Sequence, residues 1–127
     1  MYNPEGDDNN REYIEVLTNE SLENYTIEDL ETRDVLKLVH SFEGNFALIV
    51  EEGLNYSNID ASVYNVGPTI GNNLNNKYDV IVIKDPQGKL VDALSYSQVL
   101  GADGNARSLC KLINREDALK ECSSTPG

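Results

Sequence analysis

His40 is the only imidazole in the chain, and Ser41 follows it directly. With Ser41 or Ser57 as nucleophile and Asp60 as orienting carboxylate, it could complete a Ser–His–Asp arrangement for acyl transfer. Serines and aspartates are too numerous for that combination to carry weight, and a satisfied or exposed strand-end histidine is the simpler reading. A second chemistry is cation binding. Glu5, Asp7, Asp8 and Asn9 offer oxygen ligands within one loop, and Asp103 with Asn105 offers others, as Ca2+ requires. The loop lacks the D-x-[DN]-x-[DN]-G spacing with a distal Glu. Glu5, Asp7, Asp8 and Asp103 are therefore weak candidates, and the expectation is a chain without a cofactor. Paired-carboxylate glycoside hydrolysis lacks aromatic platforms, because there is no Trp and the seven tyrosines are dispersed. No Gly-rich loop joins a strand to a helix, so there is no phosphate cradle.

Cys110 and Cys122 are the only cysteines, and both lie near the C-terminus. A zinc site needs further soft or imidazole ligands, and His40 is far away in sequence. The spacing is too wide for a CxxC redox pair. An even count of near neighbours suggests one disulfide closing a short loop, with two buried thiols as the alternative. A bridge would contribute roughly 2–3 kcal/mol by restricting the unfolded chain. It would also point to an oxidising compartment, outside the cytosol.

The formal net charge of −12 excludes one class of partner. Phosphate backbones are bound by Lys and Arg through counterion release, and no basic block stands out here, so nucleic acid is not an expected partner. From Glu5 to Glu31 the only cation is Arg11, among ten carboxylates. The simplest reading is a solvated acidic surface of an extracellular or high-salt protein. No apolar run is long enough to span a bilayer, so this segment does not insert into a membrane. A charged stretch leading into an apolar one is also missing, so the segment carries no secretion signal of its own. A longer parent chain could still carry one.

The elements that would position any site are strands. Glu12 to Val16 alternates, with Ile14 and Val16 on one face. Tyr25 to Leu30 and Val35 to Val39 follow, then Phe46 to Val50, whose continuous apolar run fits a strand buried on both faces. Ile59 to Tyr64 is looser. Val80 to Ile83 and Leu90 to Tyr96 flank Asp85-Pro86-Gln87-Gly88. There Asp suits the first turn position, Pro fixes φ at the second and Gly suits the fourth. Ser108 to Leu112 is the last strand. Tyr96 to Leu100 could form a helical turn, and Arg115 to Lys120 has helix-friendly composition. About eight short strands in 127 residues predict a single all-β domain, an antiparallel sandwich. Its expected core is Ile14, Val16, Ile27, Leu36 or Leu38, Phe46, Leu48, Val50, Ile81, Ile83, Leu94 and Leu109. In Val35 to Val39 the face without Lys37 is taken as inward.

The opening YNPEGDD before REYIEV, then LETRDVLKLV, FALIV, NNLNNKYDVIVIKDPQGKLVDALSY, GNARSL and STPG come in a telling order. Together they resemble the lamin tail domain, an immunoglobulin-like β-sandwich, over nearly the whole of residues 1–127. The hairpin and the Ser-Leu segment are its specific parts. Tyr13 stands where the family carries Trp, and the first strand is missing apart from its last residue or two. The cysteine pair fits secreted and cell-surface prokaryotic members better than nuclear lamins, and without a heptad rod no filament role carries over.

The resemblance implies no catalytic residues. It implies a non-catalytic, extracellular or cell-surface interaction and attachment domain within a longer chain. Its partner would be a protein or a neighbouring copy, joined by strand pairing at the place left by the missing first strand. The alternative is a Ca2+-dependent accessory binding domain of a secreted hydrolase or nuclease.

Overall fold

The structure, a computed structural model, describes residues 2–3, 12–54, 56, 58–71, 74, 78–97, 107–112 and 115–122. For 2–3, 97, 107–112 and 115–122 only the backbone is described. The strands are β1 (Tyr2–Asn3), β2 (Tyr13–Leu17), β3 (Thr26–Glu28), β4 (Arg33–Val35), β5 (Lys37–His40) and β6 (Phe46–Val50). They continue with β7 (Ser62–Asn65), β8 (Tyr78–Lys84), β9 (Leu90–Ser97), β10 (Arg107–Leu112) and β11 (Arg115–Cys122). Among the described residues there is no helix. Seven strands form one sheet, in the order β11-β10-β1-β2-β6-β7-β5, and four form the other, β4-β3-β8-β9.

The two sheets enclose one core. Ile14, Ala47, Ile49 and Tyr64 of the larger sheet join Ile27, Ile81, Ile83 and Tyr96 of the smaller in a single buried cluster. Strand β8 shows the period-two alternation that such a layer demands, with Asp79, Ile81 and Ile83 inward and their neighbours half-exposed. The fold is an all-β sandwich. Among the described residues the strands number eleven rather than eight, because the third expected strand splits in two and β1 and β11 are additional. One pair also departs from the antiparallel expectation, since β6 and β7 run parallel from Ala47↔Ser62 to Val50↔Asn65.

That parallel pair explains FALIV. Parallel neighbours need a crossover between them. Here β6 and β7 are joined through residues 51–61, of which 54, 56 and 59 lie over the outer face of the sheet. Leu54, Tyr56 and Ile59 pack there on Tyr13, Leu48, Val50, Ala61 and Val63, a second cluster. Ala47 to Val50 are therefore buried on both faces, as the continuous apolar run predicts. Phe46 corrects the expected core. It opens the strand at the end of the sheet and stays 43% exposed.

Val35 to Val39 is not one strand. The chain leaves the smaller sheet after β4 and enters the larger at β5, turning at Leu36. Leu36 donates its N–H to the Tyr25 carbonyl (2.8 Å) and accepts from the Asn24 N–H (3.1 Å), which fixes the corner. Leu36 is fully buried while Leu38 is 39% exposed, so the choice between them falls on Leu36. A common face for both does not exist, because the chain changes sheets between them.

The late hairpin forms as its turn residues require. Asp85 accepts from Gly88 N–H through its carbonyl (2.9 Å). Its Oδ1 accepts from Gln87 N–H (3.0 Å) and Lys89 N–H (2.8 Å). Gly88 takes φ +84°, the left-handed residue of a bulged hairpin. Arg115 to Lys120 forms strand rather than helix, because β11 is paired along β10. The expected helical turn at Tyr96 to Leu100 meets strand through Ser97, and 98–100 lie outside the described residues. Of the other expected core residues, Val16 and Leu94 are partly buried against the main cluster, and the Leu109 side chain lies outside the description.

β1 does not leave an edge. It lies inside the larger sheet, with Tyr2 opposite both Tyr13 and Ser108. The outer strands of that sheet are β11 and β5.

Candidate interaction site at the β5 edge

The expected cation ligands Glu5, Asp7, Asp8 and Asn9, and Asp103 with Asn105, lie outside the described residues. Among the described residues no group of three or more His, Cys, Asp or Glu side chains could hold a metal ion. Cys110 stands opposite Lys120 and Cys122 opposite Ser108 on the β10–β11 backbone, with side chains outside the description. His40 lies exposed on β5 opposite Val63, and Ser41 and Asp60 are exposed as well. Ser57 lies outside the described residues.

The buried acids lie elsewhere. Glu51 is fully buried, its Oε2 accepting from Glu12 N–H (3.2 Å) and its Oε1 from Ile70 N–H (3.3 Å). It thereby ties the entry of β2 to the loop after β7. Burial pushes the Tyr96 hydroxyl well above its usual range, and the charges of Asp79, Glu12 and Asp29 push the same way. Asp34 is held above the ordinary carboxylate range by burial, against the lowering effect of Gly71 N–H, and Asp29 adds to the rise. Gly71 N–H reaches Asp34 Oδ2 at 2.7 Å. These groups join strands to loops inside the fold and present no open site.

An open concavity lies elsewhere among the described residues. A groove of about 190 Å³ is lined by Thr18, Glu20, Leu38, Phe42, Phe46 and Tyr64, among others. Its apolar rim is exposed at Leu38, Phe42 and Phe46. Exposed large apolar side chains gathered at one place are what distinguishes a contact surface from scattered surface residues.

The rim is held in place by polar contacts. Phe42 N–H donates to Ser62 Oγ (3.1 Å), and that hydroxyl is 3.1 Å from the Phe42 carbonyl, to which it donates. The Phe42 ring lies over Gly44, where an added Cβ would come within 3.0 Å of it. Tyr64 closes the floor, its hydroxyl accepting from Leu22 N–H at 2.9 Å.

β5 is an outer strand, and all four of its residues are exposed. Leu38 N–H donates to Glu23 Oε2 at 2.6 Å, so a carboxylate covers the strand's outward donor. Charged side chains on an edge are one way a sheet avoids pairing with the wrong chain. None of Glu23, Phe42 or Phe46 was marked as functional by sequence reasoning. The signal is thin: Phe42 and Phe46 are the chain's only two phenylalanines, placed on either side of Glu43-Gly44-Asn45, and nothing marks Glu23.

No protein-family model, curated protein or solved structure matches the chain. Among the described residues no helix is long and apolar enough to cross a membrane.

Proposed function

We propose that this chain is a non-catalytic interaction and attachment domain of the lamin-tail type, immunoglobulin-like, working outside the cell or at its surface as part of a longer protein. The observation that carries the reading is the apolar rim of Leu38, Phe42 and Phe46, exposed around a groove at one end of the sandwich. Water contact at such side chains is removed when a protein partner covers them, which makes association favourable. The acidic surface keeps the free domain soluble, and the cysteine pair suits an oxidising compartment. The resemblance supplies the family and the absence of a catalytic role. No metal or cofactor has a part in this reading.

A photo-crosslinking residue tests the assignment of the face. Placed at Phe46, it should form adducts with proteins of the cell envelope. Placed at Leu90, an exposed position on the smaller sheet, it should form few. Equal labelling from both positions would overturn the reading.

A further inference from the structure

We infer that the β5 edge takes an extended basic peptide segment of a partner protein, which adds to the sheet as a further strand and seats an apolar side chain in the groove. The inference rests on the proposed role as an interaction domain and names the class of partner.

Three observations converge on it. β5 ends the larger sheet, so its outer side can accept a strand. Main-chain pairing then supplies affinity and side-chain pockets supply selectivity, as in other strand-addition complexes. The groove lies against that edge, because Leu38 of β5 is part of its lining together with Phe42 and Phe46. An extended chain along β5 sends alternate side chains to the same side, so one of them can enter the groove.

The third observation is charge. Glu20 lines the groove, Glu23 lies on the edge donor, and exposed Glu43 sits between Phe42 and Gly44 of the lining. Lys37 is the only lysine or arginine on β5, and the chain as a whole carries a formal charge of −12. Lys or Arg on the incoming segment meets a favourable field, and an acidic segment meets repulsion.

Glu23 gives the device its selectivity. In the free domain its carboxylate occupies Leu38 N–H. An incoming peptide carbonyl takes over that donor, and the displaced carboxylate is then available to a Lys or Arg of the same peptide. A neutral strand displaces Glu23 into water and gains no ion pair with it. The covering carboxylate thus favours basic strands over others.

The test uses a short fluorescent peptide of alternating valine and lysine and measures anisotropy against the whole 127-residue chain. Two twins accompany it, one with every lysine replaced by glutamate and one N-methylated along the backbone edge that would pair. The basic peptide should bind, and its affinity should fall as salt screens the contact. Both twins should bind at least about tenfold more weakly. Amide resonances of Leu38 to His40 should shift on titration, and Glu23→Gln should narrow the gap between basic and acidic peptides.

Equal binding of the acidic twin, or of the N-methylated one, overturns the inference, as do unmoved β5 amides. Should no peptide bind while envelope proteins still crosslink at Phe46, strand addition fails and the interaction reading stands. Should that crosslinking fail too, the reading itself falls.

Discussion

Ser62 holds the Phe42 backbone from both sides, accepting from its N–H and donating to its carbonyl, each at 3.1 Å. Ser62 belongs to β7, whereas Phe42 lies beyond the end of β5. One hydroxyl therefore fastens the groove's aromatic rim to the sheet. Ser62→Ala should cost about 1 kcal/mol in stability, the net value of a hydrogen bond or two at a half-buried site. It should also weaken partner binding, since Phe42 is no longer held. Thermal melting and a binding isotherm read the two effects, and unchanged binding would show that the rim is fixed by other contacts.

Leu36 and Leu38 separate the corner from the rim. Leu36→Ala should cost about 2–5 kcal/mol, the usual loss for a buried leucine. Leu38→Ala should cost under about 1 kcal/mol, as exposed substitutions do. Urea unfolding of both variants checks this. Comparable losses would mean that the two side chains share a face and that the chain does not change sheets at Leu36.

Asp34 gives a pH dependence opposite in sign to that of most carboxylates. Its folded-state pKa lies above the unfolded value, so the folded chain binds the proton more tightly. Between the ordinary value of about 4 and the raised one, its contribution to stability falls as pH rises. Asp34→Asn keeps an oxygen for Gly71 N–H and removes the charge. The variant should melt above the wild type at neutral pH, and the gap should close below about pH 4. A gap that widens on acidification would contradict the raised value.

The cysteines set a condition on the β10–β11 ladder. Cys110 faces Lys120 and Cys122 faces Ser108, an offset of two residues along the pair. Diagonal neighbours lie about 7–8 Å apart, beyond the usual Cα separation of a disulfide, about 4.4–6.8 Å. A bridge requires the ladder to slide by two residues. Its register already shifts between Lys111 and Leu112. We expect the oxidised protein to carry the bridge in that slid register. Unreduced, unfolded chain should show no reactive thiol, and two thiols per chain would remove the bridge and with it one support for an extracellular location.

What could be read from the sequence was what neighbouring residues decide. Asp85 to Gly88 specifies its own turn, and the unbroken apolar run from Ala47 to Val50 requires cover on both faces. The rest depends on partners distant in sequence. Leu36 and Leu38 look equivalent until the chain changes sheets between them. Phe46 looks like core until its place at the end of the sheet is known. Arg115 to Lys120 favours helix locally and becomes strand because β10 lies beside it. The groove was not legible at all. Its walls come from residues 18–21, 38–47 and 62–64, which meet only when β2 pairs with β6 and β5 with β7.

The rim of Leu38, Phe42 and Phe46 is proposed as the surface through which this domain holds a protein partner. The most direct measurement compares binding of envelope proteins by the wild type and by the double variant Phe42→Ser, Phe46→Ser. Both phenylalanines are partly exposed, so the variant should keep its fold and melt within a few degrees of the wild type, by roughly the shift that about 1 kcal/mol produces. Binding should drop at least about tenfold in the variant, as loss of buried aromatic anchors does. Equal binding by the two proteins, with melting points unchanged, would contradict it.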